Sequence, residues 1–367
     1  MKESAVDHWC GDPRRAFFAL AHLCDPADAL IDSLCARHGA PLALARLLGG
    51  AIPNRDREVY ALRWKRCELE YEHDRAEELG VRWLVCGDPE WPAGLSDVGV
   101  VAPHVLWVRG CADLARVCEL SLAVVGARAC THYGADVARA WAVELASSGV
   151  TIVSGGAFGI DAAAHRGALS AGGTILVTAG GVDVPYPRAH EGLFDSVSAR
   201  GCVVSESPLG STVRRARFLT RNRLIAAMTR ATLVVEATHR SGSLSTARHA
   251  AELGRPVLAV PGPVTSALAH GCHSLVVERR AELVTGVRDV LSFLVAGDDP
   301  RSSPGSVRLS PSQRTLLDSL PGSGGASIDD LVAASGLSRP RVERTIRELS
   351  AMARILGDDT TWSRRTG

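Results

Sequence analysis

Between about residues 120 and 294, short apolar runs alternate with longer segments whose apolar positions recur every three or four residues. The runs LAVVG (122–126), TIVSGG (151–156), TILVTAGG (174–181), CVVSES (202–207), TLVVEA (232–237) and PVLAVPG (256–262) lack a polar alternation. That is the pattern of strands buried on both faces. In the intervening GADVARAWAVELASSG (134–149), Val137, Trp141 and Leu145 form one apolar stripe at helical spacing. Six such strands with helices between them predict an extended Rossmann-like, doubly wound parallel α/β sheet. In such a sheet every strand-to-helix loop emerges on one edge, and the helix N-termini point at that edge.

The flanking text differs. Residues 1–110 are Ala/Leu/Arg-rich with helical spacing and few strand signals, and are read as an N-terminal helical domain and lead-in to a core over 111–295. AGDDPRSSPGS (296–306) has the composition of a linker, assigned to 296–309, ahead of a C-terminal module over 310–367. Within that module, SIDDLVAASGLSRPRVERTIRELSAMARIL (327–356) predicts a helix–turn–helix. Ser327 with Asp330 caps the first helix, Gly336 turns the chain and Ser338 caps the second. Leu331, Val332, Leu337, Val342, Ile346 and Leu349 would form its core. Arg339, Arg341 and Arg344 would either meet DNA or form the solvated basic face of a protein-contact module.

Composition narrows the classes of function. With 46% hydrophobic and 22% charged residues, the chain is ordinary for a globular protein. No apolar run approaches the roughly 18 residues of a membrane span, and MKESAVDHWCGD offers no apolar leader. Neither membrane insertion nor export is expected. Ten cysteines without a C-x-x-C pair suggest free thiols in a reducing cytoplasm. Among 41 basic side chains only Lys2 and Lys65 are lysine. An anion site in this chain must therefore use guanidinium forks, which suit phosphate oxygens and stack on bases.

Three loops carry candidate chemistry. In VVGARACTHYGADVA (124–138), Gly126 ends a strand and Arg128 follows it, an arrangement suited to an anion at a helix N-terminus but also to an ordinary turn. In SGGAFGIDAAAHRGAL (154–169), Ser154, Gly155, Gly156 and Gly159 make a flexible turn and Asp161 is placed to cap the next helix. Asp161 and His165 have the spacing of an acid/base pair; the alternative is structural roles for both. In ATHRSGSLSTARHAAELG (237–254), Ser241, Gly242, Ser243, Ser245 and Thr246 offer more donors than a helix cap requires. A Walker loop is excluded because neither lysine lies in this region, and GGAFG has the wrong spacing for a dinucleotide fingerprint. The histidines show no metal-ligand spacing, so neither metal nor cofactor is expected.

RRARFLTRNRLIAAM (214–228) puts five arginines into ten positions without a carboxylate, although the chain carries a net charge of only +1. Preceding the strand TLVVEA, it predicts a crossover helix with Arg221, Asn222 and Arg223 near its start, where positive charge opposes the helix dipole. A polyanion along the loop edge, held by Arg128, Arg221, Arg223 and backbone N–H groups, would compensate.

In order, VGAR, SGGAFGIDAAAH, GGVDVPYP, VSESPLG, RFLTRNRLIAAM, VVEATHRSGSLSTARHAAELGRPVLAVPG and GCHSL resemble the DNA processing protein A (DprA, or Smf) family over about residues 90–294. The resemblance implies a homodimer that binds single-stranded DNA and passes it to the RecA recombinase during natural transformation. Carried over by position, its DNA pocket would comprise Gly126, Arg128, Ser154, Gly155, Gly159, Arg221, Asn222, Arg223, Ser241, Gly242 and Thr246. Phe218, inside the arginine cluster, is the candidate for base stacking or else a core anchor. The chain departs from the family pattern at Ala127 (serine), Gly156 (leucine), Leu219 (proline), Ala227 (glycine), His273 (asparagine) and Arg280 (glycine). The small helical domain often found before the family core would correspond to residues 30–50, and the C-terminal module resembles the family's winged helix.

The competing enzyme class is a phosphoribohydrolase-like N-glycosidase using Asp161, Glu206 and Glu236, which would require a deep pocket lined by two ionised carboxylates. A protein-interaction adaptor would leave the arginine loops without a purpose. The dimer is expected over 271–294, where Leu275, Val276, Val277, Leu283, Val284, Val287, Val290, Leu291 and Leu294 exceed what one strand and one helix need.

Overall fold

The computed structural model describes residues 8–295, 311–321, 325–351, 355–357 and 361–364. The expected linker at 296–309 lies outside the described residues. The chain divides into two compact units: a large one holding the sheet and the N-terminal helices, and a small C-terminal one.

All six expected strands form: β3 (Ser121–Val125), β4 (Thr151–Ser154), β5 (Thr174–Val177), β6 (Cys202–Ser205), β7 (Ala231–Val234) and β8 (Val257–Ala259). They are almost wholly buried, as their continuous apolar text requires. The sheet is nonetheless larger than expected. Its order is β1-β2-β6-β5-β4-β3-β7-β8-β9, with β1 (Val81–Leu84), β2 (Leu106–Gly110) and β9 (Glu282–Leu283) added at the margins. The stretch up to residue 110, read as a helical domain and lead-in with few strand signals, thus contributes two strands, β1 antiparallel to β2 and β2 antiparallel to β6. From β6 to β9 all pairing is parallel.

The order fixes where a ligand would sit. The chain moves outward from β3 through β4 and β5 to β6, then crosses back to lay β7 on the other side of β3. Strand order reverses between β3 and β7, so a crevice opens beyond their carboxyl ends. The crossover is the arginine-rich helix Arg215–Ala227.

Ahead of the sheet, helices Pro13–Leu23, Ala29–His38, Ala40–Leu48, Asn54–Arg66 and Leu69–Glu78 pack around Phe18, Leu20, Leu23, Ile31 and Leu44. The first begins where the Asp12 side chain accepts the Arg14 N–H and proline occupies an early position that needs no donor. The C-terminal unit has helices Pro311–Ser319, Ile328–Ser335 and Arg339–Ala351 and the antiparallel pair β10 (Ile355–Gly357) and β11 (Trp362–Arg364). Ser327 and Asp330 form the expected reciprocal cap, Gly336 is left-handed at φ 67°, and Leu331, Val342, Ile346 and Leu349 are buried with Val332 and Leu337 against them. This is a winged-helix arrangement. Arg339 pairs with Asp329, and Arg344 lies 3.9 Å from Glu348, so part of its basic face is neutralised internally.

Candidate nucleic-acid interface

A cleft of about 690 Å³ opens at the reversal point. The loop after β3 contributes Gly126 and Arg128, the turn after β4 Ala157 and Asp161, and the segment after β7 Arg240 to Ser243 and Thr246. Tyr186 and the crossover residues Arg215, Phe218, Leu219, Arg221 and Asn222 close the other side. Four arginines face one carboxylate. Arg128, Arg215 and Arg240 are exposed, and among the described residues none of the three has an ion-pair partner.

Sterics explain the glycines. A Cβ on Gly126 would stand 2.5 Å from Ile160 Cγ1 and 2.9 Å from the Glu236 carbonyl oxygen. The β3 and β7 loops meet here, where Ala127 N–H donates to Glu236 O at 2.7 Å. Gly159 has φ +73°, and a Cβ there would strike the Ala127 carbonyl. Gly155 leaves room for a guanidinium, since its Cβ would come within 2.6 Å of Arg221 Nη2. At the departures from the family pattern, Gly156 has φ +71° and faces Leu176, so a larger side chain does not suit this backbone. His273 Nε2 lies 3.1 Å from the Gly262 carbonyl oxygen.

The arginines of the crossover helix sort differently from their sequence reading. The helix starts at Arg215, so Arg221, Asn222 and Arg223 lie in its buried middle rather than near its start. Arg221 reaches the cleft floor, but its Nη1 donates to the Gly155 carbonyl at 2.9 Å and to the Val177 carbonyl. Burial lowers its pKa to about 10, leaving it a cation at neutral pH. Asn222 donates to the Gly242 carbonyl at 3.2 Å and so holds the β7 loop. Arg223 does not line the cleft. It forms a two-pronged pair with Glu206 at 2.8 and 2.7 Å and donates through Nε to Val101 O, so its guanidinium is engaged by protein groups away from the cleft. Ser154 is likewise behind the cleft, its hydroxyl donating to Val124 O at 2.6 Å.

Phe218 is half-buried at the cleft wall, not in the core. The Arg128 guanidinium carbon lies 4.8 Å from its ring centroid, a cation–π geometry. The Tyr186 ring centroid stands 5.5 Å from that of Phe218, the two planes tilted by 57°. Tyr186, Arg215 and Arg240 are cleft residues that sequence reasoning missed, although Tyr186 sits in the VPYP motif and Arg240 directly precedes Ser241.

The acid/base candidates are committed elsewhere. Asp161 is the second residue of its helix; Gly159 holds the cap position. Burial pushes its carboxyl up against the opposing pull of Arg221. Burial lowers His165 to about 3, and its Nδ1 lies 2.9 Å from Thr174 Oγ1, so it is a neutral core side chain. Glu236 accepts the Thr131 N–H at 2.9 Å and the Thr131 hydroxyl at 2.5 Å. The described residues hold no cluster suited to a metal ion and no helix long and apolar enough to cross a membrane.

Fold and cleft together define a Rossmann-like protein with an arginine-lined cleft at the strand-order reversal. A family model for DNA recombination-mediator protein A matches residues 82–295, and the chain belongs to that family. A DprA-type protein of Mycobacterium tuberculosis is 42% identical over 342 residues, covering 88% of this chain and 87% of that protein. The solved structure of DNA processing protein A from Streptococcus pneumoniae matches with a TM-score of 0.63 at 31% identity, over 77% of this chain and 97% of that one. DNA processing protein A from Helicobacter pylori, described for its single-stranded DNA binding mode, matches with a TM-score of 0.53 at 25% identity, over 59% and 97% of the respective chains. The match begins within β1, so the family region takes in both antiparallel strands at the sheet margin.

Proposed function

We propose that the chain binds single-stranded DNA across this cleft and passes it to the RecA recombinase, without catalysing a reaction itself. The observation that carries this reading is the Arg128 guanidinium over Phe218, with the tilted Tyr186 ring against Phe218, beside Arg215 and Arg240. Unpaired guanidinium groups suit successive phosphates. Accessible aromatic faces suit unstacked bases, which a duplex hides. Ser241, Gly242 and Thr246 line the same wall and complete the contact through hydroxyl and backbone donors. Arg221, Gly155, Gly159 and Asn222 shape the floor rather than grip the strand. The single-stranded DNA binding of the Helicobacter relative and the family's description as recombination mediators support the reading. The glycosidase alternative loses two carboxylates, Glu206 to Arg223 and Glu236 to Thr131. Ten free thiols suit work in a reducing cytoplasm.

Binding is expected to be salt-sensitive, with a log–log slope of about −0.7 per neutralised phosphate for single strands. Arg240→Ala should make that slope shallower by about 0.7. Fluorescence anisotropy at a series of salt concentrations reads this directly; an unchanged slope removes Arg240 from the interface.

We further propose a homodimer through the β9 margin. Of the nine apolar residues expected there, Leu275, Val284, Val287, Val290 and Leu294 are buried within the protomer, Val276 and Leu291 are half-buried, and Val277 and Leu283 are exposed at 82% and 50%. β9 is an open edge that a second copy would cover. Val277→Glu combined with Leu283→Glu should convert a dimer to a monomer in light scattering without unfolding it. A wild-type monomer, or a dimer unaffected by both changes, rejects this interface.

A further inference from the structure

We propose that Asp25 and Arg75, on the N-terminal helices, are positioning residues that hold Phe218 and Tyr186 as a contacting pair on one side of the DNA cleft. This inference rests on the reading of the cleft as a single-stranded DNA site.

The crossover helix starts badly by itself. Arg214 at its cap position makes no side-chain cap hydrogen bond, and its first turn carries arginines and no acid. Unsatisfied N–H groups and repulsion from the helix dipole both favour fraying there. Phe218 lies in this weak region. What restrains it is Arg217, the neighbouring residue. Its side chain is only 15% exposed and its Nη2 donates to Asp25 Oδ1 at 2.6 Å. Successive side chains on a helix project about 100° apart. Anchoring Arg217 on Asp25 therefore fixes the rotation that brings Phe218 to the cleft.

Asp25 is itself held from the N-terminal bundle. Arg63 donates to its second oxygen at 3.1 Å and to the Leu23 carbonyl at 2.7 Å. Burial disfavours the charge, but hydrogen bonds from Arg217 and then Arg63 keep the Asp25 carboxyl below its ordinary range.

The second ring has an equivalent tie. Tyr186 sits on the loop after β5, and Asp183 in that loop accepts the Gly210 N–H at 2.8 Å and Arg75 Nη2 at 2.7 Å. Gly181 N–H donates to Ser211 O at 2.9 Å. The loop bearing Tyr186 is thus joined to the segment that leads into the crossover helix, with Arg75 fastening the joint. Arg75 also neutralises a carboxylate three residues from Tyr186 that would otherwise repel phosphate. Two ion pairs from the N-terminal helices, one behind each ring, hold the two rings against each other.

The test uses the full chain with Asp25→Ala, Arg75→Met and the exchange pair Asp25→Arg with Arg217→Asp. The ligand is an oligothymidylate carrying one 2-aminopurine, whose fluorescence reports base stacking. Asp25→Ala and Arg75→Met should each weaken binding by roughly threefold to tenfold, part of what one stacked base contributes. They should also reduce the fluorescence change at saturation while leaving the salt slope unaltered, and the exchange should restore much of the signal. A merely structural role would lower the melting temperature and leave the stacking signal intact; that result, or loss of slope together with affinity, overturns the proposal. Amide hydrogen exchange on the DNA-free protein tests it independently of any ligand. Exchange should quicken over 212–220 in Asp25→Ala and over 181–187 and 208–213 in Arg75→Met, and unchanged exchange overturns the proposal. Failure of the wild-type chain to bind the oligonucleotide would sink the functional reading instead, with the exchange data still deciding the positioning roles.

Discussion

Replacing Arg128 by alanine is expected to weaken single-stranded DNA binding by roughly ten- to a hundredfold, the equivalent of about 1.5–3 kcal/mol for hydrogen bonds to a charged group. The side chain is exposed, has no carboxylate partner among the described residues, and stacks over Phe218 at 4.8 Å. Its loss should therefore leave the fold intact while removing both an unpaired guanidinium of the cleft and the cation that lies over Phe218. Arg128→Lys should recover only part of the affinity, because an ammonium restores charge but not the planar fork that stacks and binds in two prongs. Phe218→Leu should remove the stacking share of the energy while preserving the salt slope. Anisotropy titrations with melting curves measure all three. An Arg128→Ala protein that binds like wild type would break the account of the cleft.

The second large effect concerns stability. Glu206→Ala should destabilise the protein by about 3–5 kcal/mol, since it strands a buried charge. The Arg223 and Glu206 side chains are only 6% and 10% exposed, and their bidentate contact is the main neutralisation available to either. Replacing both, as Arg223→Met with Glu206→Leu, should recover much of that loss, because neither half then remains uncompensated. Urea denaturation midpoints give the energies. The same variants decide the arginine's role: a structural Arg223 leaves the salt slope of DNA binding unchanged, whereas a phosphate ligand makes it shallower.

The strands of the parallel core were legible because burial on both faces leaves an unbroken apolar run, as in Leu122 to Val125 or Ala231 to Val234. β1 and β2 were not, because each is short and surrounded by helical text; β2 owes its place to Leu106, Trp107 and Val108 packing against elements distant in sequence. β9 is two residues long and exposed, with no periodicity to detect. In the site, loop positions such as Arg128 and Ser241 were legible because a parallel sheet sends all such loops to one edge. The partition of the arginine cluster was not. Whether Arg217, Arg221 or Arg223 is free depends on Asp25, on the Gly155 and Val177 carbonyls and on Glu206, partners supplied by tertiary packing. Charge density pointed to the crossover helix but could not say which guanidinium groups were already satisfied.

In the proposed function, the cleft holds a polymer through several phosphates rather than one nucleotide. The most direct measurement is equilibrium binding of the wild-type protein to a single-stranded oligonucleotide across a salt series, with duplex and mononucleotide competitors. Three unpaired cleft arginines predict a log–log slope of about −2 or steeper, negligible competition by mononucleotide and weak competition by duplex. A slope near zero, with mononucleotide displacing the oligonucleotide stoichiometrically, would contradict the account and make the cleft a nucleotide pocket.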